Sequence, residues 1–307
     1  MSAPTPSPEL LAAHDVLVDS DRPWQRGLRL LQSRWREGRQ LEAGPRPGKP
    51  GALLGSRLAM PAAEEALSNF LTPTIGAVVR REVDAARRSG ERLISEPRIF
   101  DDLLSSQPLC FNLFAELAED LAQATAWARA QWPGRVERVT RLLFEHSPGR
   151  RDERFLGNRT AFDIYLEHTA PGGGEGFIGI EVKYHEDLVV KAAETRRRVT
   201  EVADASGLFR PEDLAALQAP PLQQLWFDHL LALSMLQAEP GRWGGRGLYV
   251  LLHPAANERC EEVGEAYLRR LLDGGTFQRL TLESVVGVLQ ATSGRAWVEA
   301  FRRRYLG

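Results

Sequence analysis

Between residues 136 and 185 the hydrophobic period of the chain shortens from that of a helix to that of a strand, and this limits the folds open to it. VERVTRLLFEH (136–146), AFDIYLEH (161–168) and GFIGIEVKYH (176–185) are short and rich in β-branched and aromatic residues, and the turn-forming SPGRRDE and TAPGGGE divide them. They predict three consecutive strands, the last two a hairpin. Helical periodicity holds on either side. A helix is expected over 109–132, where Leu113, Phe114, Leu117 and Leu121 form an apolar stripe before Pro133-Gly134, while Asn112, Glu116 and Glu119 or Asp120 fall on another face. Helices are expected again over 188–203, 211–217 and 222–237. GLYVLLHP (247–254) reads as a strand buried on both faces, and helices over 258–272 and 296–305 close the chain. Helix, three strands, helices, strand, helices predicts an α/β fold with a mixed sheet flanked by helices, not an alternating βα barrel.

The first hundred residues read differently. Their Ser/Pro/Ala-rich start offers nothing to offset the entropy of ordering. Leu28, Leu31 and Trp35 suggest an amphipathic helix over 23–42, GPRPGKPG (44–51) is expected to forbid regular structure, and 61–90 is again helical. We therefore expect a helical N-terminal region over 1–100 and a second domain over 101–307. A net charge of −2 excludes a generally basic nucleic-acid coat, so any attraction for phosphate must be local. The two cysteines, Cys110 and Cys260, have no metal-ligand or disulfide-framework spacing. Neither a leader nor a membrane span is expected, and the reading is cytoplasmic.

Strand alternation gathers the chemistry. Asp163, Tyr165 and Glu167 share one face of their strand, and Glu181, Lys183 and His185 share a face of the next. Carboxylates on neighbouring strands repel unless a cation lies between them. Oxygen ligands with no Cys or His cluster favour a hard ion, Mg²⁺ or Mn²⁺, over zinc. Lys183 is one of only three lysines among 39 basic residues. It would set a positive charge beside a phosphoryl transition state.

Asp163 followed by Glu181-Val182-Lys183 at the end of an apolar strand resembles the D…ExK signature of the PD-(D/E)xK nuclease superfamily, whose restriction-endonuclease-like core runs α-β-β-β-α-β, as read here from Leu109 to Pro254. SSQPLCFNLFAEL (105–117), LLFEHSPGR (142–150) and GLYVLLHP resemble a group of bacterial proteins of that fold. This resemblance covers about 100–307. It implies Asp163 and Glu181 as metal ligands with the Val182 carbonyl as a third, Lys183 as the catalytic lysine, and Glu116 as the acid on the helix before the first strand. One departure is the missing proline before the aspartate, where Phe162 stands. The implied activity is Mg²⁺- or Mn²⁺-dependent hydrolysis of phosphodiester bonds, of DNA in the first place and otherwise RNA, in restriction, defence or repair. Cutting both strands of a duplex would favour a homodimer. The competing interpretation is a nucleic-acid-binding or assembly module that keeps the fold without turnover.

Other features are weighed against plainer readings. Gly174–Gly179 spells GxGxxG but leads into a strand, whereas a dinucleotide site needs the glycines to open a helix. Glu145-His146 ends the strand expected beside Asp163, as a second acid at the site or a solvent-facing charge. His185 and Glu186 directly follow the motif and read chiefly as surface, the alternative being contact with substrate phosphate or a metal-bound water. Arg159, Arg196 and Arg197, with Arg150, Arg151 and Arg198, are the best local cluster for a phosphate backbone. Gln223 and Gln224 open an otherwise apolar helix; a glutamine there could reach the site, although core packing of Leu222, Leu225, Phe227 and Leu230 explains the segment sufficiently.

Overall fold

The computed structural model describes residues 5–89, 94–188 and 192–307. By contacts the chain divides into two compact units, one of Met1–Arg88, Leu93–Glu116 and Gly294–Gly307 and one built on Leu117–Ser293. This division interleaves the chain ends, so it differs from a boundary near residue 100. No described helix is long and apolar enough to cross a membrane.

The second unit carries a five-stranded mixed sheet. Strands β3 (Arg138–His146), β4 (Phe162–Thr169), β5 (Glu175–Val182), β6 (Gly247–His253) and β7 (Phe277–Thr281) lie in that order; two further strands, β1 (Ala43–Pro45) and β2 (Leu53–Leu58), belong to the first unit. The β3–β4 and β4–β5 pairs are antiparallel, and β5–β6 and β6–β7 are parallel. The expected hairpin is β4–β5. The glycine-rich run serves as its turn, with Gly172, Gly173 and Gly174 all at positive φ. Every residue of β6 is buried, as a central parallel strand requires.

Both faces of the sheet are covered. Tyr165, Phe177, Tyr249, Leu251 and Phe277 pack with the helices Arg197–Ser206, Gln223–Ala238 and Glu258–Leu268 in one core. Ile164, Leu166, Ile178, Ile180 and Val250 are equally buried. The Leu121–Gln131 helix packs on β3 and on the Leu282–Ser293 helix. Gly179 sits where a methyl group would lie 2.5 Å from the Phe162 ring, so its missing Cβ lets that ring close over the sheet one residue before Asp163.

Several expectations need correction. The helix expected over 109–132 is two helices, Ser106–Glu119 and Leu121–Gln131, because Asp120 leaves the helical conformation and its carboxylate accepts from the Gln123 amide at 3.0 Å as an N-cap. Strand β5 ends at Val182, so His185 lies beyond the strand. The helix expected over 188–203 begins at Arg197, with 189–191 outside the described residues. Strand β7 and the Leu282–Ser293 helix answer no expectation.

The first unit is built on the helices Pro23–Gly38, Pro73–Ser89 and Ala296–Tyr305 and most of Ser106–Glu119. It is not wholly helical. Strands β1 (Ala43–Pro45) and β2 (Leu53–Leu58) pair antiparallel, and GPRPGKPG enters β1 and makes the turn between them. The buried Arg304 ties the unit together: its guanidinium lies 3.8 Å over Trp35, bonds the Asn69 carbonyl at 2.6 Å and donates to Gln32 Oε1 at 3.1 Å. A cation removed from water needs this full set of partners.

Candidate active site

The site forms where β5 outlasts β4. The pairing of these strands runs as far as Ile164 with Ile180, which sets Asp163 opposite Glu181 at the next step. Beyond that point β4 offers no carbonyl to β5, and Asp163 Oδ2 accepts the Val182 amide at 2.7 Å instead. On its other side β5 is still held by β6, with the Lys183 amide donating to the Leu252 carbonyl at 2.8 Å. The motif is therefore locked into the sheet on one flank and bound by a side chain on the other.

Glu181 and Lys183 are both buried, and Lys183 Nζ donates to Glu181 Oε1 at 2.6 Å. The same oxygen accepts Gln224 Nε2 at 2.7 Å, from the Gln223–Ala238 helix that covers this face. Both donors converge on Oε1. Among the described residues none donates to Glu181 Oε2 or to Asp163 Oδ1, and Gln224 Oε1 is buried with no partner. Two carboxylate oxygens on opposed strands are thus left for a cation. The donor set fits a hard divalent ion, although among the described residues no three acidic, His or Cys side chains already form a closed cage.

Electrostatics support this reading. Burial, with repulsion from Glu181 and then from Glu145, holds the Asp163 carboxyl well above its ordinary value against the opposing pull of Lys183. Asp228, one helical turn after Gln224, is raised well above the usual range by burial and by Glu181; Tyr249 Oη reaches it at 3.4 Å. Burial works to discharge Lys183, but Glu181, Asp163 and Glu186 outweigh it and raise its pKa, so the ammonium persists. An excess of acid over base around one lysine is the condition a divalent cation relieves.

The structure thus brings Asp163, Glu181, Val182 and Lys183 together. Glu116 belongs to the first unit, where Thr72 Oγ1 donates to it at 2.5 Å. Asn112, one turn earlier, is fully spent: its amide nitrogen serves the Asn69 and Pro108 carbonyls and Tyr305 Oη, and its oxygen accepts the Leu71 amide. Glu167 shares the strand but pairs with Arg141 and Arg242 at 3.5 and 3.4 Å. Glu186 Oε2 accepts the Tyr184 and His185 amides and so fastens the turn after the motif. Asp228 escaped the sequence reading; its signal was a second polar residue four positions after Gln224 on an apolar helix.

Arg151, Arg159 and Arg196 line an open groove of about 730 Å³ together with two acids, Glu153 and Glu194, and with Phe227, immediately before the strand that carries Asp163. All three arginines are exposed, and none makes an ion pair with a described residue. Arg196 donates to the Gly157 carbonyl at 3.1 Å. Arg197 points elsewhere, 90% exposed and paired with Glu201 at 3.0 Å, and Arg198 turns inward to the Phe155 carbonyl.

A mixed sheet flanked by helices, with two opposed acids and a lysine at the end of its central hairpin, defines a restriction-endonuclease-like protein. The chain belongs to the PD-(D/E)XK nuclease superfamily, whose family model matches residues 19–307. The match reaches well into the N-terminal region, further than the resemblance read from about residue 100 onward. No curated protein and no solved structure gives a significant match.

Proposed function

We propose that the protein is a divalent-metal-dependent nuclease that hydrolyses phosphodiester bonds in DNA. The observation that carries this is the pair of vacant carboxylate oxygens, Asp163 Oδ1 and Glu181 Oε2, beside a charged lysine. Asp163, Glu181 and the Val182 carbonyl would hold Mg²⁺ or Mn²⁺. Such an ion supplies an acidified water and neutralises charge at the phosphoryl group. Asp163 is oriented for this by the Val182 amide, and Glu181 by Lys183 and Gln224. Lys183, fixed as a cation, orients the attacking water and offsets the charge that develops as phosphorus is attacked in line. Arg159 and Arg196, with Arg151, would hold the phosphate backbone along the groove.

The test is cleavage of plasmid, linear duplex and single-stranded DNA, and of RNA, with Mg²⁺ or Mn²⁺, by the wild type, Asp163→Asn and Lys183→Ala, each checked for fold by circular dichroism. Each variant should lose activity by about 100-fold or more. Unchanged cleavage in both overturns the assignment. RNA cleavage alone would keep the mechanism and overturn the choice of DNA.

A further inference from the structure

We propose that Glu145 is a third carboxylate of the reaction centre, set beside Asp163 to hold the divalent cation from the β3 side; this rests on the nuclease reading above. The argument begins with register. Phe144 pairs with Ile164 and His146 with Phe162, so Glu145 stands opposite Asp163. Asp163 in turn stands opposite Glu181, one step beyond the Ile164–Ile180 pair. Three acids therefore occupy one row across three adjacent strands, and neighbouring positions in such a row lie within side-chain reach.

Like charges directly opposed across strands destabilise a sheet, so a row of three acids calls for a cation among them. The backbone there is also unusual. Glu145 has φ +46°, in the left-handed region that glycine favours, although the strand pairs regularly on either side of it. The turn this gives the chain carries His146 onto Tyr165, with ring centroids 4.3 Å apart, which fixes the end of β3 over the face that holds the motif. Leu143, two residues earlier, packs against the core of that same face. Among the described residues the three acids do not form a closed cage as they stand, so the Glu145 side chain must turn about its χ1 and χ2 bonds to reach the cation.

Glu145 differs from Glu116 in its source, since it comes from the sheet that carries the motif itself. Its replacement should therefore be felt in cation affinity even without substrate. The experiment is calorimetric titration of the full chain with MnCl₂, alone and with non-cleavable duplex DNA, for the wild type, Glu145→Gln, Glu145→Asn and Glu137→Gln. Asn tolerates the left-handed backbone, which protects the test if Gln perturbs the fold. Glu137, an exposed acid paired with Arg129, is the control. Loss of one charged ligand should weaken Mn²⁺ binding by about tenfold or more in both Glu145 variants, with the control unchanged. Wild-type affinity in the two Glu145 variants overturns this proposal alone. Absence of Mn²⁺ uptake by the wild type, with and without DNA, overturns it together with the nuclease reading.

Discussion

Asp163→Asn should make the metal-free protein more stable while removing its activity. At neutral pH the wild type must either keep Asp163 ionised against Glu181 and Glu145 or protonate it, because burial and these two acids hold its carboxyl well above the ordinary value of 3.8. Unit charges on directly opposed residues, about 5 Å apart, repel by about 3 kcal/mol at an effective dielectric constant of 20, and the Lys183 ammonium cancels part of this. Protonation sets a ceiling: at pH 7 the group cannot cost more than about 1.36 × (7 − 3.8), or about 4 kcal/mol, before it takes up a proton instead. A gain of about 1–3 kcal/mol is therefore expected for Asn, or an increase in Tm of about 2–8 °C. Asn keeps an oxygen for the Val182 amide, so the hydrogen bond survives. A carboxyl whose folded pKa is raised contributes stability that is fully present below 3.8 and is lost as pH rises through the folded value. The advantage of the variant should accordingly vanish near pH 3.5, grow upward from there and level off once Asp163 is ionised in the native state. Thermal unfolding in EDTA across pH 4–9 reads this directly, and Mg²⁺ should narrow the gap by stabilising only the wild type. A variant less stable than the wild type at pH 7 in EDTA would refute the claim that these acids are mutually repelled.

Two further outcomes test the groove and the scaffold. Removing Arg159 and Arg196 together should lower the slope of log K for DNA against log[salt] by about 2, roughly one for each lost phosphate contact, as measured by fluorescence anisotropy; Arg197→Ala, at a guanidinium already paired with Glu201, should change it less. Gly179→Ala should destabilise the protein by about 1–3 kcal/mol in urea unfolding, because the new methyl group would lie 2.5 Å from the Phe162 ring. Unchanged stability would show that Phe162 can move aside.

The strands that carry chemistry were legible because each has a strong period or an unbroken apolar run, as β3 to β6 do. Strand β7 was not. It has five residues with only Phe277 buried, so tertiary pairing with β6, and no apolar pattern of its own, makes it a strand. The Leu282–Ser293 helix is hidden by its valines and Gly287, which weaken a helical reading until packing on the Leu121–Gln131 helix decides it. At the site, Asp163, Glu181 and Lys183 could be read from spacing because two opposed strands leave few places for two acids. Asn112 shows the limit of such reasoning. A polar stripe looks the same in sequence whether it serves a reaction or, as for Asn112, the buried ends of neighbouring segments. Gln224 shows the reverse: an amide on an apolar helix that packing seemed to explain is a direct partner of Glu181.

The position of the centre follows from the architecture of the sheet. Strand β5 has an antiparallel neighbour on one side and a parallel neighbour on the other, and the two pairings end at different residues, at Ile180 towards β4 and at Val182 towards β6. The mismatch leaves the Val182 amide without a strand partner on the β4 side, in surroundings where an unpaired donor costs about 1–3 kcal/mol. Asp163 meets that need with one oxygen and holds the other in place beside Glu181. The bond that completes the sheet is thus the bond that orients the acid. An apolar residue at 163 would strand a buried amide as well as remove the carboxylate proposed to bind the cation, which is why Asn, and not Ala, separates the proposed chemical role of the carboxylate from its structural one.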